Sequence, residues 1–346
     1  CPWHHPQRPG VRRPYPAASR VLSAHGTQAW LQGSPPVVAH LKGRDLKPVA
    51  GDWAIVDWTH NPPLISDLLP QRNRILRSEG PKTKVLAANV DLAILVIAGH
   101  PLFSPDLSLR VLASLQAESI PVVIAMNKAD LTESHHRARD HLLALLPAYD
   151  RPVDEEGKAS ESGLASVRVC EISCKEGNFA NGIDALENHM QRLATEAKTN
   201  ETPPTFALIG QSGMGKSSLL NRLVPEASAQ TQAISEALQT GRHTTTVSRG
   251  YGWAPRASDR PAWVIDTPGF QRFGLSHLSA SQVAEIFPEW SDITARNACR
   301  FYNCQHQHEP GCAIEAEIRA LEKENPQRSR HLALRREAWV SLIESL

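Results

Sequence analysis

Nine consecutive residues have the types and spacing of a phosphate-binding loop and the start of its helix. They are Gly210, Gln211, Ser212, Gly213, Met214, Gly215, Lys216, Ser217 and Ser218. The pattern G-x-x-x-x-G-K-[ST] follows an apolar run and precedes a helical one, as in a strand–loop–helix unit. We expect backbone N–H groups to surround phosphate oxygens, Lys216 to reach the β- and γ-phosphates, and the Ser217 hydroxyl to coordinate Mg²⁺. The loop therefore predicts a nucleoside triphosphate as ligand.

A second pair of motifs identifies the base. Asn127, Lys128 and Asp130 form an N-K-x-D pattern after the apolar run 121–126, and doubly wound sheets bind ligands at the carboxyl ends of their strands. A carboxylate at that edge can accept both the N1–H and the exocyclic amine of guanine, a pairing that adenine does not offer. The next predicted strand is followed by Ser173, Cys174 and Lys175, where a backbone N–H can meet the guanine carbonyl oxygen. These motifs predict GTP and disfavour an ATP-dependent metabolic kinase.

Two further segments have the composition of nucleotide switches. Asp266 and Gly269 belong to a D-T-P-G pattern after an apolar run, so Asp266 can hold Mg²⁺ through water and the Gly269 N–H can sense the γ-phosphate. The hydroxyl-rich segment 241–246 can close on Mg²⁺ as a switch loop. We assign Thr245 as its magnesium ligand, although the sequence alone does not distinguish it from Thr244 and Thr246.

The group that positions the attacking water is not in its usual place. Many GTPases carry a glutamine soon after the glycine of the second switch segment, where it orients that water. Here Phe270 occupies the next position and Gln271 follows it. We therefore expect slow intrinsic hydrolysis, and His243 in segment 241–246 is the candidate catalytic residue. The alternative is a solvated loop histidine with an ordinary pKa.

The order of these motifs differs from that of ordinary small GTPases. Base recognition at 127–130 and 173–175 comes before the phosphate loop, whereas ordinary small GTPases begin with the phosphate loop and end with base recognition. Apolar runs alternate with helical periodicity, which predicts a doubly wound parallel sheet. We expect strands at 91–98, 121–126, 167–172 and 206–209, and helices at 105–115, 133–146 and 182–194. The pattern predicts a circularly permuted P-loop α/β GTPase domain from Asp91 to Leu275.

The N-terminal quarter is basic and has a β pattern. Residues 1–88 contain 12 Lys and Arg against 5 Asp and Glu, whereas the whole chain has a net charge of +1. Short apolar segments at 37–41, 53–58 and 64–69, separated by Gly and Pro, predict a five-stranded barrel of the OB type. Trp53 and Trp58 either stack on bases or belong to the core. The side chains available for RNA phosphates are Lys42, Arg44, Lys47, Arg72, Arg74 and Arg77.

Three cysteines and a histidine near the C-terminus have the spacing of a metal site. Three thiolates and one imidazole suffice for a tetrahedral Zn²⁺, and four protein ligands leave no open position, so we expect one structural zinc ion. The predicted ligands are Cys299, Cys304, His306 and Cys312. His308 is an alternative ligand that the sequence leaves open. Residues 314–346 are predicted to form a helix whose basic residues face either rRNA or solvent, namely Arg328, Arg330, Arg335 and Arg336.

Composition places the chain among ordinary globular proteins. Of its 346 residues, 41% are hydrophobic and 21% are charged. No apolar run reaches the roughly 20 residues of a membrane-spanning helix. The cysteines cluster with histidines rather than forming a disulfide framework, which fits a reducing compartment. We expect a cytoplasmic monomer without membrane contact.

The permuted motif order, the basic barrel and the Cys/His cluster together resemble the ribosome small-subunit-dependent GTPase family, whose bacterial members are called RsgA or YjeQ. The resemblance extends over all but the first twenty residues. It implies an OB-fold RNA-binding domain at 21–88, the GTPase domain at 89–277 and a zinc-binding helical domain at 278–346. Residues 1–20, which are rich in Pro and Arg, are expected to form a disordered basic tail. Because the sequence begins with Cys1, it leaves the native start of the tail open.

The same resemblance implies a function. It implies hydrolysis of GTP to GDP and phosphate, docking on the small (30S) ribosomal subunit and its rRNA, and assistance in late maturation of that subunit. It also points to His243 as the catalytic residue. A GTP-dependent RNA-binding regulator or chaperone that acts off the ribosome is the alternative.

Overall fold

A computed structural model gives the fold of the chain. It describes residues 18–80, 82–146, 167–175, 180–196, 202–227, 247–254, 261–307 and 309–346. His243, Thr245 and the alternative zinc ligand His308 lie outside these residues, as does most of the predicted tail. The described part contains a closed barrel, a six-stranded sheet with its helices, and a helical C-terminal segment. The predicted multidomain fold class is confirmed.

Five strands close the N-terminal barrel. They are β1 (Ala18–His25), β2 (Gln28–Leu31), β3 (Val37–Leu41), β4 (Trp53–Asp57) and β5 (Leu64–Leu68). They pair in the order β1-β2-β3-β5-β4, and antiparallel pairing of β1 with β4 closes the barrel. Small and branched apolar side chains, such as Val21, Ala39 and Ile65, fill its interior. The barrel confirms the OB-type prediction, and its first strand begins three residues before the predicted domain start.

A two-stranded hairpin follows the barrel and is separate from it. Its strands are β6 (Arg74–Glu79) and β7 (Lys82–Ala88). Ser78 forms a two-way backbone pair with Gly274, and its hydroxyl lies 2.7 Å from His277 Nδ1. The hairpin is thereby bound to the segment that follows the second switch motif.

Six strands form the central sheet, and four helices connect or flank them. The strands are β8 (Leu92–Ala98), β9 (Val122–Asn127), β10 (Arg168–Glu171), β11 (Thr205–Ile209), β12 (Arg249–Trp253) and β13 (Ala262–Asp266). The helices are α1 (Pro105–Ala117), α2 (Thr132–Leu145), α3 (Ala180–Glu196) and α4 (Lys216–Leu223). The strands β8, which is fully apolar, and β11, which is apolar after Thr205, are buried along their whole length, as parallel strands covered on both faces require. Ser104 caps α1 by accepting the Leu107 N–H, and Pro105 suits the first helical turn.

The strand order explains how permuted motifs meet. The order is β10-β9-β8-β11-β13-β12, with every pair parallel except β12–β13. The chain runs outward from β8 to β10, then returns to the centre at β11 and builds the other half. The neighbours β8 and β11 therefore mark the point where the direction of winding changes, and open sheets bind ligands there. The permuted arrangement predicted from motif order is confirmed by this topology.

The barrel packs on one face of the sheet through tryptophans and a buried arginine. Trp263 of β13 contacts Leu22 and Trp30 of the barrel. Arg20 is 2% exposed, lies over the rings of Trp53 and Trp263, and donates to the Thr205 hydroxyl. Trp53 is therefore part of this interface, whereas Trp58 is 48% exposed and remains available for stacking.

The C-terminal segment consists of α5 (Ala280–Ala284), α6 (Pro288–Arg296), α7 (Ala313–Glu324) and α8 (Pro326–Ile343). The single helix predicted at 314–346 is wrong. Asn325 ends α7 and caps α8 by accepting the Arg328 N–H, while Pro326 cannot continue the i→i−4 ladder and starts the new helix. None of the helices in the described part of the chain has the length and apolar character of a membrane span.

Arg335 is buried rather than directed to rRNA or solvent, which corrects that expectation. Its side chain is 2% exposed and forms an ion pair with Glu289. It also donates to the carbonyl oxygens of Leu145, at the end of α2, and Ile286. One guanidinium therefore joins the C-terminal helices to the GTPase domain.

Replacing this arginine tests that connection. We expect Arg335→Met to lower the free energy of unfolding by about 3–5 kcal/mol, because Glu289 keeps its charge without a partner. Urea denaturation measures the change. Arg319→Gln is the control, since Arg319 forms an exposed i,i+4 pair with Glu315 and should cost at most about 0.5 kcal/mol. Equal effects of the two substitutions would contradict the proposed role of Arg335.

Candidate nucleotide site and zinc centre

The phosphate loop has the backbone that close approach to phosphate requires. Gly213 and Gly215 adopt φ values of 84° and 96°, which favour glycine. A Cβ at Gly215 would lie 2.2 Å from Asn127 Nδ2, and one at Gly210 would lie 2.4 Å from the Val96 carbonyl oxygen. The glycines are thus required by both conformation and packing.

Lys216 begins α4 and lies within the loop that precedes it. Its side chain is buried, and Nζ donates to the carbonyl oxygens of Gly210 at 2.8 Å and Gln211 at 2.9 Å. Burial lowers the pKa of Lys216, while Asp266 opposes that shift. The ammonium is therefore bound to the carbonyl groups of the first two loop residues.

The N-K-x-D motif contacts the phosphate loop directly. Asn127 Nδ2 donates to the Met214 carbonyl oxygen at 3.0 Å. Lys128 Nζ donates to the carbonyl oxygens of Gly213 at 3.0 Å and His100 at 2.6 Å. The structure therefore brings together two motifs that lie more than 80 residues apart in the chain.

Asp130 is held ready to accept hydrogen bonds from a base. Its two oxygens accept from Ser173 Oγ at 2.8 Å and from Lys175 Nζ at 2.9 Å. The hydrogen bond from Lys175 holds the pKa of Asp130 below its usual range, so the carboxylate stays ionised. Burial raises the pKa of the neighbouring Cys174 to about 11, so that thiol stays protonated. The arrangement suits the two N–H donors of guanine.

Asp266 has the environment of a carboxylate that faces a cation. It is 5% exposed, and its Oδ1 is buried without a hydrogen-bond partner among the described residues. Burial raises the pKa of Asp266 to about 6, against the opposing effects of Lys216 and Arg249. A buried carboxylate oxygen with no donor fits the oxygen ligands that Mg²⁺ prefers, directly or through water. Ser217 and Asp266 could hold the ion together, and Thr245 lies outside the described residues.

The second switch segment lies against the phosphate loop. A Cβ at Gly269 would be 3.1 Å from both Lys216 Nζ and Ser212 Cα. The Phe270 carbonyl oxygen accepts the Ser212 N–H at 3.3 Å. The Phe270 ring is buried and packs edge-on against Phe273. Phe270 therefore cannot orient water.

One contact of the phosphate loop was not predicted from the sequence. The Gln211 side chain accepts the Ser104 N–H at 2.7 Å and joins the loop to α1.

The four predicted zinc ligands converge. Their ligand atoms all lie within 4.8 Å of one another. His306 Nδ1 is 3.6 Å from the Sγ atoms of Cys299 and Cys304 and 3.5 Å from that of Cys312. A tetrahedral ion with Zn–S near 2.3 Å and Zn–N near 2.05 Å requires an S···N separation of about 3.6 Å. The residues present therefore fit one closed structural zinc site.

Surrounding groups fix the conformation of the segment from Cys299 to Cys312, which we call the zinc loop. Glu309 accepts the N–H groups of Gln305 and Gln307, each at 2.8 Å. Trp339 Nε1 donates to the Gln305 carbonyl oxygen, which attaches the loop to α8. The Cys299 sulfur accepts the Ala313 N–H at the start of α7. Such outer contacts orient metal ligands and determine affinity.

Comparison with known proteins identifies the family. The model of the RsgA GTPase family matches residues 68–276. A relative from Burkholderia pseudomallei (strain 1710b), named small ribosomal subunit biogenesis GTPase RsgA, is 35% identical over 91% of this chain and 90% of its own length. The chain belongs to the RsgA GTPase family. A protein of the same name from Bordetella pertussis is 36% identical over 88% of this chain and 90% of its own length.

Solved structures agree with the fold. YjeQ from Thermotoga maritima superposes with a TM-score of 0.58 over 94% of this chain and 98% of its own, at 21% identity. YloQ, described as a circularly permuted GTPase, gives 0.55 over 94% and 95%, at 19% identity. As a member of the RsgA GTPase family the chain is a GTPase, and its GTP is expected to bind with Mg²⁺.

Replacing Asp130 tests the assignment of the base. We expect Asp130→Asn to weaken GTP binding at least tenfold, because the amide can no longer accept both N–H donors of guanine. Binding of xanthosine triphosphate should improve, since its carbonyl can accept from the new amide. Competitive nucleotide binding measures both. An unchanged preference for GTP over xanthosine triphosphate would show that another residue reads the base.

Replacing Cys304 tests the metal site. We expect Cys304→Ser to lose most of the zinc that the wild-type protein retains, and to lower the melting temperature, because metal binding stabilises such loop-rich segments. Elemental analysis after dialysis measures the zinc content. Cys174→Ala is the control, since Cys174 lies in the nucleotide site and should leave zinc at one ion per chain. Full zinc content in the Cys304 variant would refute the assignment.

Proposed function

We propose that this GTPase hydrolyses GTP to GDP and phosphate while docked on the small (30S) ribosomal subunit, and that it assists late maturation of that subunit. The observation that carries the proposal is the hydrogen bonding of Asn127 and Lys128 of the N-K-x-D motif to the phosphate loop, in permuted order, in a chain whose relatives are named for small-subunit biogenesis. A role on the ribosome places the protein in the cytoplasm, where we expect a monomer.

The proposed nucleotide contacts cover both ends of GTP. Asp130 and the 173–175 loop bind guanine, the phosphate loop binds the phosphates, and Gly269 senses the γ-phosphate. The full set is Asn127, Lys128, Asp130, Ser173, Cys174, Lys175, Gly210, Gln211, Ser212, Gly213, Met214, Gly215, Lys216, Ser217, Ser218 and Gly269. Magnesium is proposed to bind Ser217, Thr245 and, through water, Asp266.

His243 is the proposed group that positions the attacking water. What supports it is the position of Phe270, whose buried ring and bonded carbonyl leave it no part in orienting water. Slow intrinsic turnover that a partner stimulates would make the two nucleotide states a timer, since the partner binds one state better.

The proposed rRNA contacts lie on the barrel and the zinc loop. Arg72, Arg74 and Arg77 form ion pairs with Asp91, Glu118 and Glu79. Lys42, Arg44 and Lys47 between β3 and β4 are exposed and form no ion pair in the described part of the chain. On the zinc loop, Phe301 and Tyr302 are exposed aromatic side chains. Exposed cations and aromatic rings are what single-stranded RNA binds.

Turnover measured with and without small subunits tests the proposal. We expect small subunits to raise the GTPase rate at least tenfold, with His243→Ala abolishing that increase while GDP affinity stays within about twofold. Binding should weaken as salt rises, because phosphate contacts release counterions. If the protein instead binds free RNA as tightly as small subunits and shows no stimulation, it is an RNA-binding regulator or chaperone that acts off the ribosome.

A further inference from the structure

Arg249 lies directly opposite Asp266 in the central sheet. In the antiparallel pair β12–β13, Arg249 is the register partner of Asp266. Residues directly opposite each other project to the same face, with Cβ atoms about 4.5–5.5 Å apart. Asp266 ends β13 at the edge of the sheet where the phosphate loop lies. Arg249, at the start of β12, is therefore at the phosphate end of the site.

The packing of the two strands shows which face this is. In the register of β12 and β13, Gly250 pairs with Ile265 and Gly252 with Trp263, so Gly250 and Trp263 lie on the same face of the sheet. That face is turned to the barrel: a Cβ at Gly250 would be 3.6 Å from Leu22 Cα, and Trp263 belongs to one apolar cluster with Leu22. Arg249 alternates with Gly250 along β12, so its side chain leaves the opposite face. Trp253 on that face packs on Phe206 of the phosphate-loop strand, with ring centroids 5.5 Å apart. The Arg249 side chain therefore leaves β12 on the face where Trp253 packs on Phe206 of β11, the strand that leads into the phosphate loop.

The charges at this point suit a triphosphate. Lys216 and Arg249 both oppose the rise in the pKa of Asp266, so both cations lie close to that carboxylate. Arg249 is only partly buried and forms no ion pair within the described residues. The adjacent Ser248 is 5% exposed, and its Oγ has no hydrogen-bond partner in the same described part. A partly exposed guanidinium without a carboxylate partner is available to a bound anion.

Phosphoryl transfer needs such a group. Charge develops on the equatorial oxygens of the transferring phosphoryl group, and an arginine supplied by the same chain or by a partner stabilises it. In this chain Phe270 fills the position after Gly269 and cannot contribute. The guanidinium is planar, permanently charged and suited to bidentate contact with phosphate oxygens.

We propose that Arg249 is a further catalytic residue of this GTPase, which donates hydrogen bonds to the γ-phosphoryl oxygens during hydrolysis. In that step the water oxygen forms a bond to the γ-phosphorus, and the bond from γ-phosphorus to the bridging oxygen breaks. GDP leaves with the electron pair, and the water proton ends on the phosphate product. No group is oxidised or reduced. The proposal depends on the GTPase activity of the family and not on the ribosomal partner.

The test uses the full-length protein without ribosomal subunits, so that its outcome is independent of the proposed partner. We expect Arg249→Gln to lower intrinsic kcat at least 100-fold, towards the loss of about 10³–10⁵-fold seen for other catalytic arginines. KM for GTP and affinity for GDP should stay within threefold. The decisive probe is GDP with aluminium fluoride and Mg²⁺, which mimics the transferring phosphoryl group: the variant should bind it no more tightly than GDP alone.

Two further variants separate catalysis from structure. Arg249→Lys keeps the charge without the planar fork and should recover part of kcat. Arg137→Gln is the matched control, because Arg137 is an exposed arginine on α2 that pairs only with Glu133 among the described residues, and it should keep wild-type turnover. Wild-type kcat in Arg249→Gln would overturn the proposal. So would an equal loss of affinity for GDP and for GDP with aluminium fluoride, since that indicates a structural role.

Discussion

The nucleotide site depends on hydrogen bonds from the N-K-x-D motif to the carbonyl oxygens of the phosphate loop. Asn127 and Lys128 donate to Met214 and Gly213, and these carbonyls would otherwise be left without donors when the loop turns its N–H groups inward. The N-K-x-D motif and the phosphate loop are thereby joined in one hydrogen-bonded unit. Because β9 and β11 lie on either side of β8 and end at the same edge of the sheet, the two motifs can make this contact whichever of them comes first in the chain.

The permuted chain order connects the nucleotide site to the C-terminal helices. The second switch segment leads directly into the C-terminal helices, and on the way its Gly274 pairs with Ser78 of the hairpin. The same region is joined to α8 through Arg335, which binds Glu289 and the end of α2. We expect a movement of Gly269 on γ-phosphate binding to reach the hairpin and the zinc segment along these contacts. A switch can act only through such differential contacts between two states.

Residue types at short spacing were sufficient to predict GTP and zinc as ligands. The features that the sequence did not predict depend on contacts between residues far apart in the chain. The phosphate loop, the N-K-x-D motif and the Cys/His spacing need only residue types at short range, so they could be read before the fold was known. The bond from Ser104 to Gln211 joins residues 107 apart, and no local pattern announces it. Arg335 was indistinguishable from Arg328 or Arg330 on a basic helix, because burial depends on α2 and α6. Arg249 became visible only once strand register placed it opposite Asp266.

The most direct test of the shared unit is calorimetric titration of GDP and of inosine diphosphate, which lacks the exocyclic amine, into the wild-type protein and Asn127→Ala. Asn127 supports the phosphate loop through Met214. We therefore expect the variant to lose about tenfold or more in affinity for both nucleotides, which is the cost of a buried hydrogen bond. The preference for GDP over inosine diphosphate should be unchanged, since Asp130 still reads the amine. Unchanged affinity, or loss of that preference alone, would show that Asn127 does not support the phosphate loop.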